Sequence, residues 1–307
     1  MRFVLGAVAS VFLLPNPAQA WNKGGHMVSA SIAHAVLKHE HPDAIPKIVA
    51  ILKQHPQYEH WAEKIAALPH LSDEDKDVYL FMLAARWPDD IRDTDEYHHG
   101  NWHFINLPYI APGHPFSHEP PPPRDDNLIR AFELNRARAR TGQPAERAIA
   151  MCWVFHLIGD GHQPLHTSNL YSDEYPRGDH GGNSFYIRVH HDSAPIGLHQ
   201  FWDDLVIGSD HYQSVHNRAI ELRLRPEFAK DKLTELRTQG IEHWVKNESF
   251  KLVDEVVYRH GKIAGSTTRE HASALPDDYP KVAKPVAGRR IVLAGYRIAD
   301  VARQIVE

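Results

Sequence analysis

The strongest constraint on this chain is an apolar stretch that ends in ionisable groups. Ala148 to Phe155 are almost entirely apolar, and His156-Leu157-Ile158-Gly159-Asp160 follows directly. In helical conformation, a stretch apolar on all sides belongs inside a protein. His156 and Asp160 are four residues apart, so they share one helix face. An imidazole and a carboxylate at the end of a buried helix are costly unless they are paired or bound to metal. The fold must therefore bury this helix and bring partners to its polar end.

Helical periodicity also dominates the rest of the chain. Apolar residues recur at helical spacing in 24–40, 45–53, 74–86, 127–140, 145–160, 229–247, 249–259 and 288–306. One convincing extended stretch, 184–190, follows the turn signal His180-Gly181-Gly182-Asn183 and fits a short hairpin. Two loops interrupt the helices. Residues 108–126 contain the run Pro120 to Pro123, which favours extended chain, and 261–280 mix Gly, Ser, Thr and Pro. No internal repeat is visible. The expected fold class is all-α: a mostly α-helical single domain from Trp21 to Glu307, with a short β-hairpin.

Residues 1–20 have the pattern of a cleaved leader. Arg2 is the positive end, Phe3 to Leu14 the apolar core, and Ala18-Gln19-Ala20 the cleavage site. The apolar run is too short to span a bilayer. A secreted or periplasmic protein is expected, free of the membrane after cleavage, with Trp21 as its new N-terminus. Composition then narrows the chemistry. The chain has 24 His but a single Cys, Cys152, so it can form no intramolecular disulfide. Many imidazoles without thiolates favour metal sites built from nitrogen and oxygen. The formal charge of −5 argues against a protein that grips nucleic acid through a basic surface.

Four segments have metal-ligand character. Trp21-Asn22-Lys23-Gly24-Gly25-His26 offers a terminal amine, a carbonyl oxygen and an imidazole. Trp87-Pro88-Asp89-Asp90-Ile91-Arg92 and Trp102-His103-Phe104-Ile105-Asn106 offer Asp89 and His103. His156-Leu157-Ile158-Gly159-Asp160-Gly161-His162-Gln163-Pro164-Leu165-His166 is the most specific, with His162 on a different face from His156 and Asp160. Leu198-His199-Gln200-Phe201-Trp202-Asp203 repeats the four-residue His/Asp spacing. Trp21, His26, Asp89, His103, His156, Asp160, His166, His199 and Asp203 exceed the needs of one zinc ion and suffice for three if one carboxylate bridges.

These motifs, with His180-Gly181-Gly182-Asn183 and weaker matches at Trp244 with Glu248-Ser249 and at Ala294-Gly295-Tyr296-Arg297-Ile298-Ala299, resemble those of the S1/P1 nucleases, zinc-dependent single-strand nucleases and 3′-nucleotidases. The resemblance covers nearly all of the chain after residue 20. It implies a phospholipase C/P1 nuclease-like helical fold, a monomer, and a cleft holding three Zn²⁺. One zinc would take Asp89, His103, His156 and Asp160. A second would take His166, His199 and Asp203. The third would take the Trp21 amine and carbonyl, His26 and the bridging Asp160. Arg92 matches a cation that contacts the scissile phosphate, and Phe104 an aromatic that stacks on a base. Asn106, Gly181 and Asn183 match positions that line the base pocket. Many family members have Asp where this chain has Asn106, so base preference does not carry over. The implied activity is endonucleolytic cleavage of single-stranded DNA and RNA to 5′-phosphates, with 3′-nucleotidase activity. A zinc-dependent phospholipase C and a non-catalytic exported zinc-binding protein are the competing readings. Asp203, Phe104 and the H-G-G-N segment weigh against the first, and Arg92 beside the ligands weighs against the second.

Overall fold

The structure is a computed structural model that describes residues 21–92, 96–114 and 116–307. The leader assigned to residues 1–20 lies outside the described residues. Helices dominate: α1 (Lys23–Glu40), α2 (Ala44–Leu52), α3 (Tyr58–Ala66), α4 (Asp73–Asp90), α5 (Leu128–Thr141), α6 (Pro144–Asp160), α7 (Leu198–Asp203) and α8 (Tyr212–Arg223). A composite helix over 241–257 and a long C-terminal helix (Tyr279–Val306) complete the set. The all-α expectation holds.

The apolar stretch is where its composition requires it to be. In α6, Ala148 and every residue from Ala150 to Asp160 are buried, Cys152 included. Helices α1, α2, α4, α5 and the C-terminal helix all pack against it. Pro144 opens α6, where its missing N–H costs nothing, and Gln143 and Glu146 form a reciprocal cap. Helix α4 starts on a second such cap, Ser72 with Asp75. Helix α1 crosses the C-terminal helix closely: a side-chain carbon on Gly295 would lie 2.5 Å from Ile32 Cγ2. Among the described residues, no helix is long and apolar enough to cross a membrane.

Several expectations need correction. The helix expected over 229–247 begins only at Ile241; before it come 3₁₀ turns at Lys230–Lys232 and Thr234–Arg237. Leu233 and Leu236 are three apart, a spacing that 3₁₀ turns satisfy as well as an α-helix. Gly240, at φ 99°, interrupts the chain before the helix. The helix over 241–257 contains two π-helical segments, Trp244–Ser249 and Val253–Val257. Helix α3 escaped notice because it buries only Trp61. Helix α8 was also not anticipated, since its buried face is the diluted set Tyr212, Val215, Ala219 and Leu222. The C-terminal helix starts at Tyr279 rather than 288, with Pro280 in its first turn and Pro285 inside it.

A short hairpin forms, but it turns through 189–195, after the strand, rather than at His180–Asn183: Tyr186–Arg188 pairs antiparallel with Ile196–Gly197. The same strand also pairs in parallel with Ser273–Ala274. A second parallel ladder, Leu107–Tyr109 on Ser168–Leu170, was not anticipated. It ties the chain just after His103 to the chain just after His166.

Two histidines in the packing make stability depend on pH. His55 stacks on Trp61 at 4.3 Å and meets the edge of Trp87 at 4.5 Å. Burial pushes its pKa down to about 3, and burial likewise brings His34 down to about 4. Both are neutral in the folded chain and protonate near pH 6.5 when it unfolds. Their contribution is complete above pH 6.5 and is lost as the pH falls toward 4 and 3. The melting temperature should therefore drop between pH 7 and pH 5, and His55→Phe should flatten that drop. Equal slopes for variant and wild type would contradict this assignment.

Candidate metal centre

Each candidate ligand reaches the centre from a separate element. His26 lies in the first turns of α1, whose N-cap is Asn22, with its side chain accepting from the Gly25 N–H. Asp89 comes from the end of α4, and His103 from the 3₁₀ turn Gly100–His103. The end of α6 supplies His156 and Asp160, the turn Pro164–His166 supplies His166, and α7 supplies His199 and Asp203. All eight side chains are buried.

They gather into three groups: His26, His156 and Asp160; Asp89, His103 and His156; and His166, His199 and Asp203. Ligand atoms about 2.1 Å from one tetrahedral zinc lie about 3.4 Å apart. The observed separations cluster at that value. His156 Nε2 is 3.3 Å from Asp160 Oδ2 and 3.7 Å from Asp89 Oδ1. His103 Nδ1 is 3.1 Å from Asp160 Oδ2, and His26 Nε2 is 3.2 Å from Asp160 Oδ1. In the remaining group, His199 Nε2 lies 3.0 Å from His166 Nε2 and 3.4 Å from Asp203 Oδ2. Asp160 thus turns one oxygen toward His103 and His156 and the other toward His26.

The backbone decides which imidazole nitrogen faces inward. His156 Nδ1 donates to the Ala85 carbonyl at 2.8 Å. His166 Nδ1 donates to the His103 carbonyl and His199 Nδ1 to the Gly181 carbonyl, both at 2.6 Å. In each case Nε2 is left with its lone pair toward the group, the usual arrangement of a metal-binding histidine. Burial lowers the pKa of His26 and His166 and takes His103 to about 3, which keeps these imidazoles neutral. For His156 burial acts in the same sense, but the Asp160 and Asp89 carboxylates outweigh it and the pKa rises. Burial lifts the Asp203 carboxyl well above its usual range, a tendency that a nearby cation reverses.

Several buried polar atoms here have no hydrogen bond of acceptable geometry: His26 Nε2, His103 Nε2, Asp89 Oδ2 and Asp160 Oδ1. Such atoms are rare in native structures unless water or an ion satisfies them. Nitrogen and oxygen donors without thiolate suit zinc, so the residues present fit the group their motifs imply.

The other candidates surround this centre. Arg92 Nε and Nη2 donate to Asp89 Oδ1 at 2.9 and 2.6 Å. Phe104, Asn106 and Asn183 are half-buried. The parallel ladder sets Asn106, at φ 33°, between Ile105 and Leu107, whose N–H groups donate to the His166 and Thr167 carbonyls. Gly181 packs against the same segment, and a side-chain carbon there would sit 2.5 Å from the Leu165 carbonyl oxygen. Asn183 Nδ2 donates to the His180 carbonyl. The Trp21 indole is fully buried and donates to the Gly159 carbonyl at 3.0 Å.

Reading the sequence alone overlooked two contributors, Gln163 and Gly159, and rightly set His162 apart from the ligands. Gln163 Nε2 donates to Asp203 Oδ1 at 2.8 Å and so orients that carboxylate. Gly159 leaves the space that His26 occupies: a side-chain carbon there would lie 2.7 Å from His26 Nδ1. His162 stands outside the three groups and instead meets Arg297. The signal for Gly159 was present, since a glycine one residue before a ligand inside a helix calls for a close approach. Gln163 carried no such mark.

A buried nitrogen–oxygen centre of this kind, with the Arg92 guanidinium on one of its carboxylates, could hold several metal ions. Comparison with known proteins is more specific: the S1/P1 nuclease family model matches residues 21–307, and the chain belongs to that family. It is similar to Endonuclease 4 of Arabidopsis thaliana, with 23% identity over 95% of this chain and 91% of the relative. Endonuclease 3 of the same plant is 24% identical over 99% of this chain and 95% of its own length. Endonuclease 5 is 23% identical over 99% and 97%. The protein is a nuclease, and its family is zinc-dependent.

Gly159→Ala tests the packing of the centre. It should push His26 away from Asp160 and lower metal retention by about 10–100-fold, the range for disturbed ligand orientation. Equilibrium dialysis of the variant against graded chelator would measure this, and wild-type retention would show that His26 does not need the gap.

Proposed function

We propose that residues 21–307 form one catalytic domain that holds three Zn²⁺ and cleaves phosphodiester bonds of single-stranded DNA and RNA, leaving 5′-phosphates. We infer 3′-nucleotidase activity at the same centre. The observation that carries this reading is Asp160, which offers one oxygen to each of two histidine groups while buried at the end of α6. A bridging carboxylate needs a cation on both sides. One zinc would take Asp89, His103, His156 and Asp160, and another His166, His199 and Asp203. The third would take His26, Asp160 and the amine and carbonyl of Trp21. When bound, the metals would supply Lewis acidity and an ionised water at neutral pH.

The chain's own residues bind and orient. Three divalent ions against Asp89, Asp160 and Asp203 give a local charge of about +3, enough to attract a phosphodiester to a chain of net charge −5. Arg92, braced on Asp89 Oδ1, places a guanidinium where negative charge would develop on the phosphate. Phe104 stacks on a base, which must be unpaired to reach it. Asn106, Gly181 and Asn183 line the space beside that base. No side chain is required as nucleophile. Residues 1–20 are removed on export to the periplasm or the medium, and the enzyme acts as a monomer away from the membrane.

The deciding experiment compares hydrolysis of single-stranded DNA, RNA, duplex DNA and a 3′-mononucleotide with release of phosphocholine from lipid. Single strands should be cut to 5′-phosphates, and the 3′-mononucleotide should lose phosphate. Turnover of lipid alone would favour the phospholipase reading. Phe104→Ala should raise KM for single strands by the equivalent of about 1–3 kcal/mol, a base-stacking contribution. An unchanged KM would remove Phe104 from the substrate site. Protein with one extra residue before Trp21 should lose about one zinc per chain and most of its activity, because the terminal amine is then an amide. Full activity in that protein would contradict the Trp21 assignment.

A further inference from the structure

Behind the metal centre lies a buried ionic network that the chemistry above does not use. Glu248 is gripped by two arginines from the C-terminal helix. Arg290 Nη1 donates to Glu248 Oε2 at 2.6 Å, and Arg297 Nη2 donates to Glu248 Oε1 at 2.6 Å. Arg290 and Arg297 are 3% and 2% exposed, so this is an interior network and not a surface pair. Arg297 also lies over the Trp244 ring at 4.6 Å. Two buried guanidiniums and one carboxylate carry a desolvation cost that a surface pair avoids, and apolar side chains of similar volume often serve stability as well or better. Stability alone is therefore a weak reason for the network.

Apart from bonds to the Trp244 and Glu235 carbonyls, its remaining bonds converge on one short turn. Arg290 Nε donates to the His162 carbonyl at 3.3 Å. Arg290 Nη2 donates to Ser249 Oγ at 2.7 Å, and Ser249 in turn donates to the Gly161 carbonyl at 2.6 Å. Arg297 Nη1 lies 2.6 Å from His162 Nε2, whose ring donates through Nδ1 to the Ile158 carbonyl. Every bond from the network into this region falls on Gly161 or His162. Those two residues separate Asp160, which faces two metal groups, from Gln163, which holds Asp203 of the third. His166 follows within the next turn.

The geometry points to Glu248, Arg290, Arg297 and Ser249 as positioning residues that fix the turn 161–163, and through it the spacing between the Asp160 pair of groups and the His166, His199 and Asp203 group. The inference rests on the reading of these groups as metal sites. The network touches no metal ligand directly and acts only through the turn. The composite helix fits this task, because its first π-helical segment, Trp244–Ser249, carries both Glu248 and Ser249. A π segment displaces side chains from the regular α register and is frequent at functional sites.

The test uses the full mature protein. Ser249→Ala removes one uncharged link and leaves the Glu248 ion pairs in place. Arg297→Lys keeps the charge but loses the fork that reaches both Glu248 and His162. Ile48→Val, at a buried position of α2, serves as a stability control. Four quantities are measured for each: melting temperature, zinc retained against graded chelator, the visible spectrum of the cobalt(II)-loaded protein, and kcat and KM on single-stranded DNA. Ser249→Ala and Arg297→Lys should lower zinc retention and kcat by about 10–100-fold with little change in KM. Their cobalt spectra should shift, and the control's should not. Variants that lose melting temperature like the control, yet keep wild-type zinc retention, spectrum and kcat, would overturn the inference. Ser249→Ala stands as the test even where Arg297→Lys fails to fold. A wild type that binds no metal would overturn the reading of the centre itself, whereas a loaded wild type with unaffected variants would overturn this inference alone.

Discussion

The structure depends on keeping His156 and Asp160 buried at the polar end of its most apolar helix. Without partners, the two groups would cost the fold several kcal/mol. Six other ligand candidates from α1, α4, α7 and two short turns close around them, and each imposes a position on its element. The end of α4, the 3₁₀ turn at His103 and the turn at His166 all lie where their side chains must meet this pair. The parallel ladder of Leu107–Tyr109 on Ser168–Leu170 follows from the same demand, since it locks the two chains that leave His103 and His166. A chain whose only cysteine is buried has no disulfide to hold such elements together. Metal binding can supply that role, because ligation of a folded centre adds directly to folding free energy.

The same constraint reconciles an acidic chain with an anionic substrate. A net charge of −5 gives no long-range attraction for a phosphodiester, yet a compact centre of divalent ions held by these donors would reverse the sign locally. The inner layer of the site is accordingly rigid. The imidazoles of His156, His166 and His199 are each fixed by a backbone carbonyl, and Gly159 and Gly181 admit contacts that no larger residue would. Arg92, Phe104, Asn106 and Asn183 are half-buried.

Much of this was legible in the sequence, for identifiable reasons. The ligand candidates stood out because His and Asp at four-residue spacing in apolar surroundings have few inexpensive explanations, and the structure gathers His26, Asp89, His103, His156, Asp160, His166, His199 and Asp203 into three groups. Helices with a wide apolar face, α1, α2, α5 and α6, were equally plain. Helix α3 was not, because one buried tryptophan makes no stripe. The chain before Ile241 misled because Leu233 and Leu236 satisfy two helical periods at once. Trp244, Glu248, Ser249 and Arg297 lie in segments that match the family only weakly, but their contacts, like that of Gln163, could not be read, since they join elements far apart in sequence. Only packing shows that Arg290 and Arg297 face the interior.

The central claim is that the three buried groups are metal sites that act together. The most direct measurement is zinc content per chain by mass spectrometry on protein beginning at Trp21, with single-strand hydrolysis followed on the same sample before and after chelation. About three zinc ions, the number these donors can hold, with hydrolysis lost on chelation and restored by zinc, is the predicted result. A folded, active protein without bound metal would contradict the account.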